Sequence, residues 1–294
     1  MRSRAPLPIA RRLAILLLVL FAMGAHAGEL QRIDGVRLNP TDWADGDSFE
    51  VQFPDGERHT IRLYGADCFE WHVADKTDAR RLSAQRRYFG ITDYRGSVPQ
   101  SIALAKSLGA EAGKTVRELL AEPFTVHTAF ADGGGDGKYK RIYGFIELAD
   151  GRDLATVLVE RGLARAFGVY RSSPDGLSRD DYREHLKDTE LRAAAQRAGA
   201  WAYTDWDALP SQRAEQRRED GELALATGKA RPTEPLDINT AARDELMRIP
   251  GIGEHFANAI IEHRPYRKLE ELMRVPGIGP KRFANLRGWV SIQP

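Results

Sequence analysis

The sequence predicts an α+β protein: a five-stranded barrel of the oligonucleotide-binding (OB-fold) kind with attendant helices, followed by a small all-α domain of two tandem helical hairpins. Three observations carry this reading. Short segments of alternating apolar residues, separated by turn residues and one amphipathic helix, fill most of the chain. The last 60 residues repeat a Pro-Gly-Ile-Gly turn, and an arginine-bearing apolar leader precedes everything else.

Length and composition bound the rest. The chain has 294 residues, of which 42% are hydrophobic and 29% charged, enough to bury at least one full core and to make about two domains. Its formal net charge is +1, but Arg2, Arg4, Arg11 and Arg12 all lie in the leader; without them 39 basic residues face 42 acidic ones. Bulk charge therefore excludes a strongly basic polyanion binder, and affinity for nucleic acid has to come from local sites. The leader, residues 1–27, joins those arginines to the apolar run Leu13–Gly24 and to Ala25-His26-Ala27 ahead of Gly28, the pattern of a cleaved signal peptide. The run is shorter than the ~20 residues needed to span a bilayer. The expectation is an exported protein, periplasmic or secreted, a monomer with no stable membrane anchor once the leader is removed. Cys68 is the only cysteine, so no internal disulfide forms, and a small buried side chain suits it better than a reactive thiol.

Taken in order, Phe49, Val51 and Phe53 alternate with polar residues over 48–53, Pro54-Asp55-Gly56 supplies a turn, and His59–Tyr64 follows as a second strand. Residues 71–100 read as an irregular surface insertion. From Ser101 to Ala121, Ile102, Ala105, Leu108, Ala112, Val116 and Leu119 fall on one helix face, which ends before Pro123. Phe124–Phe130 and Arg141–Leu148 are strands on either side of a glycine-rich loop. Leu154–Arg161 and Asp180–Ala198 are helical. These elements place the barrel domain at residues 36–206. Residues 207–234 lose apolar periodicity and read as a linker, with part of it able to extend the preceding helix, and 235–294 form the hairpin domain.

Asp45-Gly46-Asp47 opens the first of these strands, while Asp67 and Glu70 follow the second, just beyond Arg62. Hairpin pairing can bring Asp47, Asp67 and Glu70 to one end of the barrel. Three carboxylates without histidine or cysteine ligands make a hard, all-oxygen donor set, suited to calcium or magnesium rather than zinc. Arg62 and Arg141 add a second theme: a phosphodiester attacked by water accumulates negative charge on its non-bridging oxygens, and guanidinium forks meet such charge bidentately. The scattered histidines, His255 and His263 among them, show no zinc spacing.

Together these motifs resemble the staphylococcal nuclease (thermonuclease) family over roughly residues 36–206. Asp45-Gly46-Asp47-Ser48 is similar to the family's Asp-Gly-Asp-Thr. The segment from Arg62 to Glu70 is similar to its Arg…Asp-Thr-Pro-Glu, Lys138-Tyr139-Lys140-Arg141 to its Lys-Tyr-Gly-Arg, and Leu158–Ala164 to the segment ahead of its substrate pocket. The resemblance implies that Asp47, Asp67 and the backbone carbonyl of Cys68 bind Ca2+. It implies that Glu70 positions or deprotonates the attacking water, that Arg62 and Arg141 stabilise the pentacoordinate phosphate, and that Lys138 and Tyr139 hold a neighbouring phosphate. The implied reaction cleaves DNA and RNA to 3′-phosphate products. This chain departs from the family at Cys68, Phe69 and Lys140. Gly168 stands where the family stacks a tyrosine on the base, with Tyr170 two residues on, as the aromatic left to contact substrate.

In the last domain, Ile249-Pro250-Gly251-Ile252-Gly253 returns 26 residues later as Val275-Pro276-Gly277-Ile278-Gly279, each copy between two short helical patterns, with Asn239 and Thr240 as candidate caps for the first helix. Glycines allow the tight turn and the isoleucines pack inward. The amides of Gly251, Ile252 and Gly253, and of Gly277, Ile278 and Gly279, open the next helix with their dipoles outward, an anion site to which Lys281, Arg282 and Arg287 add charge. This module resembles the tandem helix-hairpin-helix domain of competence DNA receptors, and the resemblance implies sequence-independent DNA binding. Two other readings stay open: a periplasmic DNA-capture protein with a weak or silent barrel, and an envelope protein that uses both domains structurally.

Overall fold

The computed structural model describes residues 28–134, 140–228 and 230–293. The leader 1–27 and the residues Lys138 and Tyr139 lie outside the described residues. Two compact units are present, one comprising the chain up to Trp71 with Ser107–Gly199, the other His72–Lys106 with Ala200–Pro294. Among the described residues no helix is long and apolar enough to cross a membrane.

The first unit is a closed barrel. Strand β1 (Gln31–Leu38), which the sequence reading placed partly outside the domain, pairs with β2 (Ser48–Gln52), and β2 pairs with β3 (Arg58–Leu63) around the Asp55-Gly56 turn. A short strand β4 (Ala66–Cys68) follows. Helix α1 (Lys76–Phe89) belongs to the second unit, and α2 spans Val98–Leu119. Strands β5 (Phe124–Asp132) and β6 (Arg141–Glu147) complete the barrel, in the order β1-β2-β3-β6-β5, with β3 and β6 parallel. Helix α3 (Leu154–Glu160) then packs beneath and leads into β7 (Ala164–Ala166), which pairs with β4, and α4 (Arg179–Ala195) covers that pair. Alternation in β2 and β3 puts Phe49, Val51, Ile61 and Leu63 inside, where they meet Val126, Phe145, Ile146 and Leu158, all buried. Asp153 caps α3 by accepting the Thr156 amide at 3.0 Å, as an aspartate at that position should.

In the second unit, residues 71–100 are not irregular. Helix α1 is capped by Asp75, whose carboxylate accepts the amides of Thr77 and Asp78 at 2.6 and 3.0 Å, and it stops at Gly90 in the left-handed region. The presumed linker is also mostly helix, α5 (Leu209–Ala226). Arg213 ties it to α1, donating from Nε to the carbonyl of Tyr88 at 2.9 Å with its guanidinium 4.4 Å above that ring, and Arg87 pairs with Glu219. The hairpins follow. Strand β8 (Leu236–Asp237) precedes α6 (Arg243–Leu246) and α7 (Glu254–Glu262), a 3₁₀ turn covers Leu269–Arg274, and α8 (Pro280–Leu286) leads to β9 (Val290–Ser291), which closes the module by pairing with β8. Asn239 does not cap the first helix. Its amide instead joins the hairpins, donating to the Tyr266 carbonyl at 2.9 Å and accepting the Tyr266 amide at 2.8 Å, while Thr240 turns to Asp237.

One close approach fixes how the chain leaves α3. Gly162 has φ +66°, and a Cβ there would lie 2.1 Å from the carbonyl oxygen of Ala198. Left-handed strain and a backbone clash each cost about 1–3 kcal/mol. Gly162→Ala is therefore expected to lower stability by about 3 kcal/mol in urea unfolding followed by circular dichroism; an unchanged midpoint would refute this backbone constraint.

Candidate active site

Three strand registers build one polar cluster at the end of the barrel. In the β2–β3 pair Arg62 lies opposite Ser48, which brings its side chain beside Asp47. In the parallel β3–β6 pair Arg141 lies across from Thr60, one side-chain repeat from Arg62 on the same face. In the β4–β7 pair Asp67 faces Arg165.

The geometry is closely interlocked. Arg62 bridges two buried carboxylates, with Nη1 2.9 Å from Asp47 Oδ1 and Nη2 3.0 Å from Asp67 Oδ1. Arg165 Nε donates to the other oxygen of Asp67 at 2.8 Å. The amide of Cys68 donates to Asp47 Oδ2 at 2.7 Å, and the Ser48 hydroxyl donates to Asp47 Oδ1 at 3.0 Å. That hydroxyl also accepts Nη1 of Arg62 at 3.3 Å and Nη1 of Arg141 at 3.4 Å, so one oxygen gathers both guanidiniums. Arg141 Nε is buried, with no partner among the described residues. Asp45 shapes the loop by accepting the amides of Asp47 and Ser48 at 3.1 and 2.7 Å. Gly46 is required between them because a Cβ would lie 2.6 Å from Cys68 Sγ and 2.7 Å from Ala112 Cβ.

The electrostatics follow from this crowding. Burial works against the charge of Arg62, yet Asp47, Asp67, Asp45 and Glu70 together raise its pKa, so the guanidinium stays charged. Burial, then the charges of Asp47 and Glu70, push Asp45 well above the usual carboxylate range. Glu70 is therefore part of the same acidic field, buried behind β4. Burial also pushes the Cys68 thiol well above its ordinary value, with Asp47, Asp45 and Asp67 adding to the effect, which keeps it protonated.

The sequence reading expected three carboxylates around a cation. Among the described residues no group of three or more His, Cys, Asp or Glu side chains is gathered closely enough to hold a metal ion. The arginines explain the difference, since they occupy oxygens of Asp47 and Asp67. A hard divalent cation still fits the chemistry: the donors are all oxygens, and Asp45, Asp47 and Glu70 repel one another in a buried field that positive charge would relieve. Two carboxylates, Asp47 and Asp67, a carbonyl such as that of Cys68, and water would make up such a shell.

Substrate-side residues divide. Lys138 and Tyr139 lie outside the described residues. Tyr170 is half-buried, its ring filling the space over Gly65, and burial pushes its hydroxyl up to about 12. The aromatic exposed beside the cluster is Phe167, 51% accessible, with the Arg165 guanidinium 4.1 Å from its ring centre. Arg165 and the clustering role of Ser48 were not anticipated; the only sequence signal for Arg165 is a charged residue inside the small-residue segment 164–166.

In the hairpin module Gly251 and Gly277 hold φ of +87° and +83°, Ile252 and Ile278 are buried, and Gly253 and Gly279 are the N-caps of α7 and α8. Lys281 is exposed, whereas Arg282 turns inward, donating to the Gly277 carbonyl at 3.0 Å and stacking 4.1 Å from the Phe256 ring centre.

Comparison with known proteins identifies two domains. Residues 60–203 match the family model described as staphylococcal nuclease homologue, and residues 232–291 match the helix-hairpin-helix motif. No curated protein matches the chain. Asp47 precedes the first matched stretch and is tied to it through Arg62 and the Cys68 amide.

Removing one partner from a buried ion pair leaves an uncompensated charge, at a cost of about 3–5 kcal/mol. With chelator present, Arg62→Met should therefore lose about 3 kcal/mol in urea unfolding, because Asp47 loses its only arginine within salt-bridge distance among the described residues. Wild-type stability in this variant would mean that the bridge does not hold the cluster together.

Proposed function

We propose that this chain, a staphylococcal nuclease homologue domain followed by a helix-hairpin-helix motif, is an exported, calcium-dependent phosphodiesterase that hydrolyses DNA and RNA to 3′-phosphate products and grips DNA without regard to sequence through its hairpins. The domains support a nuclease with a DNA-binding module. The observation that carries the catalytic reading is the pair of guanidiniums on one serine hydroxyl beside buried carboxylates, with Arg141 Nε buried and without a partner among the described residues. Such an arrangement is poised for an anion that brings its own oxygens. The export reading is supported by the leader sequence, the calcium reading by the all-oxygen donor set.

Asp47, Asp67 and the Cys68 carbonyl would hold Ca2+, which when bound supplies a Lewis acid for a non-bridging phosphate oxygen. Arg141 offers its unpartnered Nε to the phosphate, and Arg62, fixed by two carboxylates before substrate arrives, adds charge that needs no reorganisation as the pentacoordinate phosphate forms. Glu70 accepts a proton from the attacking water or holds it in line. Phe167 and Tyr170 border the substrate side, and Lys138 and Tyr139 would hold the next phosphate. The hairpin amides of residues 251–253 and 277–279, together with Lys281, would hold a distant phosphate.

Cleavage of plasmid DNA should stop in chelator and resume on adding calcium, with magnesium poorer because it demands a tighter octahedron. Full cutting in chelator would remove calcium from the reading. Glu70→Gln and Arg141→Ala should each lower kcat by roughly a hundredfold with less change in KM, and wild-type turnover in either folded variant would remove that residue from the mechanism. A chain ending at Thr233 keeps α5 but lacks the hairpins. It should cut short oligonucleotides at the full-length rate yet cut long DNA less efficiently at low substrate, with a shallower salt dependence of binding. Equal efficiency on long DNA across a salt series would show that the hairpins do not anchor DNA.

A further inference from the structure

Arg165 has no part in the reaction proposed above, yet it is the arginine that Asp67 faces across the β4–β7 pair. Its Nε lies 2.8 Å from Asp67 Oδ2, and the two side chains are 9% and 5% exposed. Arg62 takes the other oxygen at 3.0 Å. Asp67 thus sits between two guanidiniums, whereas Asp47 has an arginine, a hydroxyl and an amide around it. Arg165 is also held from its other side, with the guanidinium 4.1 Å from the ring centre of Phe167. Contacts on both sides hold the positive charge beside Asp67.

We propose that Arg165 is a resident counter-ion of Asp67, against which a divalent cation has to bind, so that this one residue weakens metal binding by the acidic site and sets the cation concentration at which the site fills. The inference rests on the reading of the site as a divalent-cation centre and deepens it. The physical reason is Coulombic. A unit positive charge a few ångströms from a doubly charged ion, in a poorly screened pocket, opposes binding, while the same charge also reduces the negative potential Asp67 can offer. Arg62 cannot play this part alone, because it divides its charge between two carboxylates and is held in the phosphate-facing cluster by Ser48. Arg165 pairs with Asp67. It is a positioning residue as well, and the two roles make opposite predictions. If its charge opposes the cation, neutral substitution tightens binding; if it serves only to orient Asp67, neutral substitution loosens binding.

The test is calorimetric titration of chelator-stripped full-length protein with calcium chloride, without nucleic acid, for the wild type and three variants. Arg165→Met keeps the stem against Phe167 without the charge, Arg165→Gln keeps a donor for Asp67 without the charge, and Arg165→Lys keeps the charge. The Met and Gln variants should bind calcium with Kd lowered roughly tenfold or more, and the Lys variant should stay near the wild type. Circular dichroism establishes that each variant is folded, and the Gln variant carries the test if the Met variant is not. Calcium binding by the wild type with unchanged or weaker binding in the folded neutral variants overturns the inference and leaves the proposed function standing. A wild type that takes up no calcium overturns both.

Discussion

Everything at the functional end of the barrel depends on one guanidinium, that of Arg62, buried between Asp47 and Asp67. Carboxylates this deep are costly unless paired, and Arg62 pairs two at once because β2 and β3 register it opposite Ser48. A slip of one residue would turn Arg62 to the other face and leave both carboxylates without it. The inward apolar residues of the same strands, Phe49, Val51, Ile61 and Leu63, fix that register through the core. Hydrophobic packing therefore sets the charge geometry, and the charge geometry in turn rewards the correct packing.

Much of this was legible in the sequence, for identifiable reasons. The alternation in β2 and β3 and the turn between them are local signals, as are the glycine turns of the hairpins, and both are where expected. The acidic residues and Arg62 could be grouped because a hairpin brings them together whatever its exact register. What was missed lacks a local signal. Strands β4 and β7 have three residues each, too few to show a period, so the pairing of Asp67 with Arg165 was invisible. Helix α1 buries Gln85 and Arg86 along with Leu82 and Phe89, and Arg86 is satisfied by Ser101 and the Thr92 carbonyl; a buried face that is half polar has no apolar stripe to read. Helix α5 buries no residue at all and is attached through Arg87 and Arg213, so its composition looks like a linker. Its cues were the Asp75 and Gly90 caps on its partner helix, which the expected irregularity of 71–100 concealed.

The hairpin module shows how a repeated motif can diverge in use while its frame is kept. Both copies turn through a positive-φ glycine and bury the following isoleucine, because that turn geometry leaves few other choices. Beyond the turn the copies differ: the first continues with Glu254 and His255, the second with Pro280, Lys281 and Arg282. Arg282 is used internally, against Phe256 and the Gly277 carbonyl, which leaves Lys281 as the exposed charge at that turn. In a chain whose overall charge is nearly balanced, attraction to a polyanion has to be this local, carried by amide dipoles and single side chains rather than by a basic surface.

The two arginines gathered on Ser48, Arg62 and Arg141, are in different states. Arg62 is fully engaged, with its charge secured by four acidic neighbours. Among the described residues, Arg141 has one long side-chain contact, to Ser48 at 3.4 Å, and its buried Nε has no partner. An unsatisfied buried donor costs about 1–3 kcal/mol, which the barrel core has to offset. In the proposed function an anion that enters the site completes that hydrogen bond.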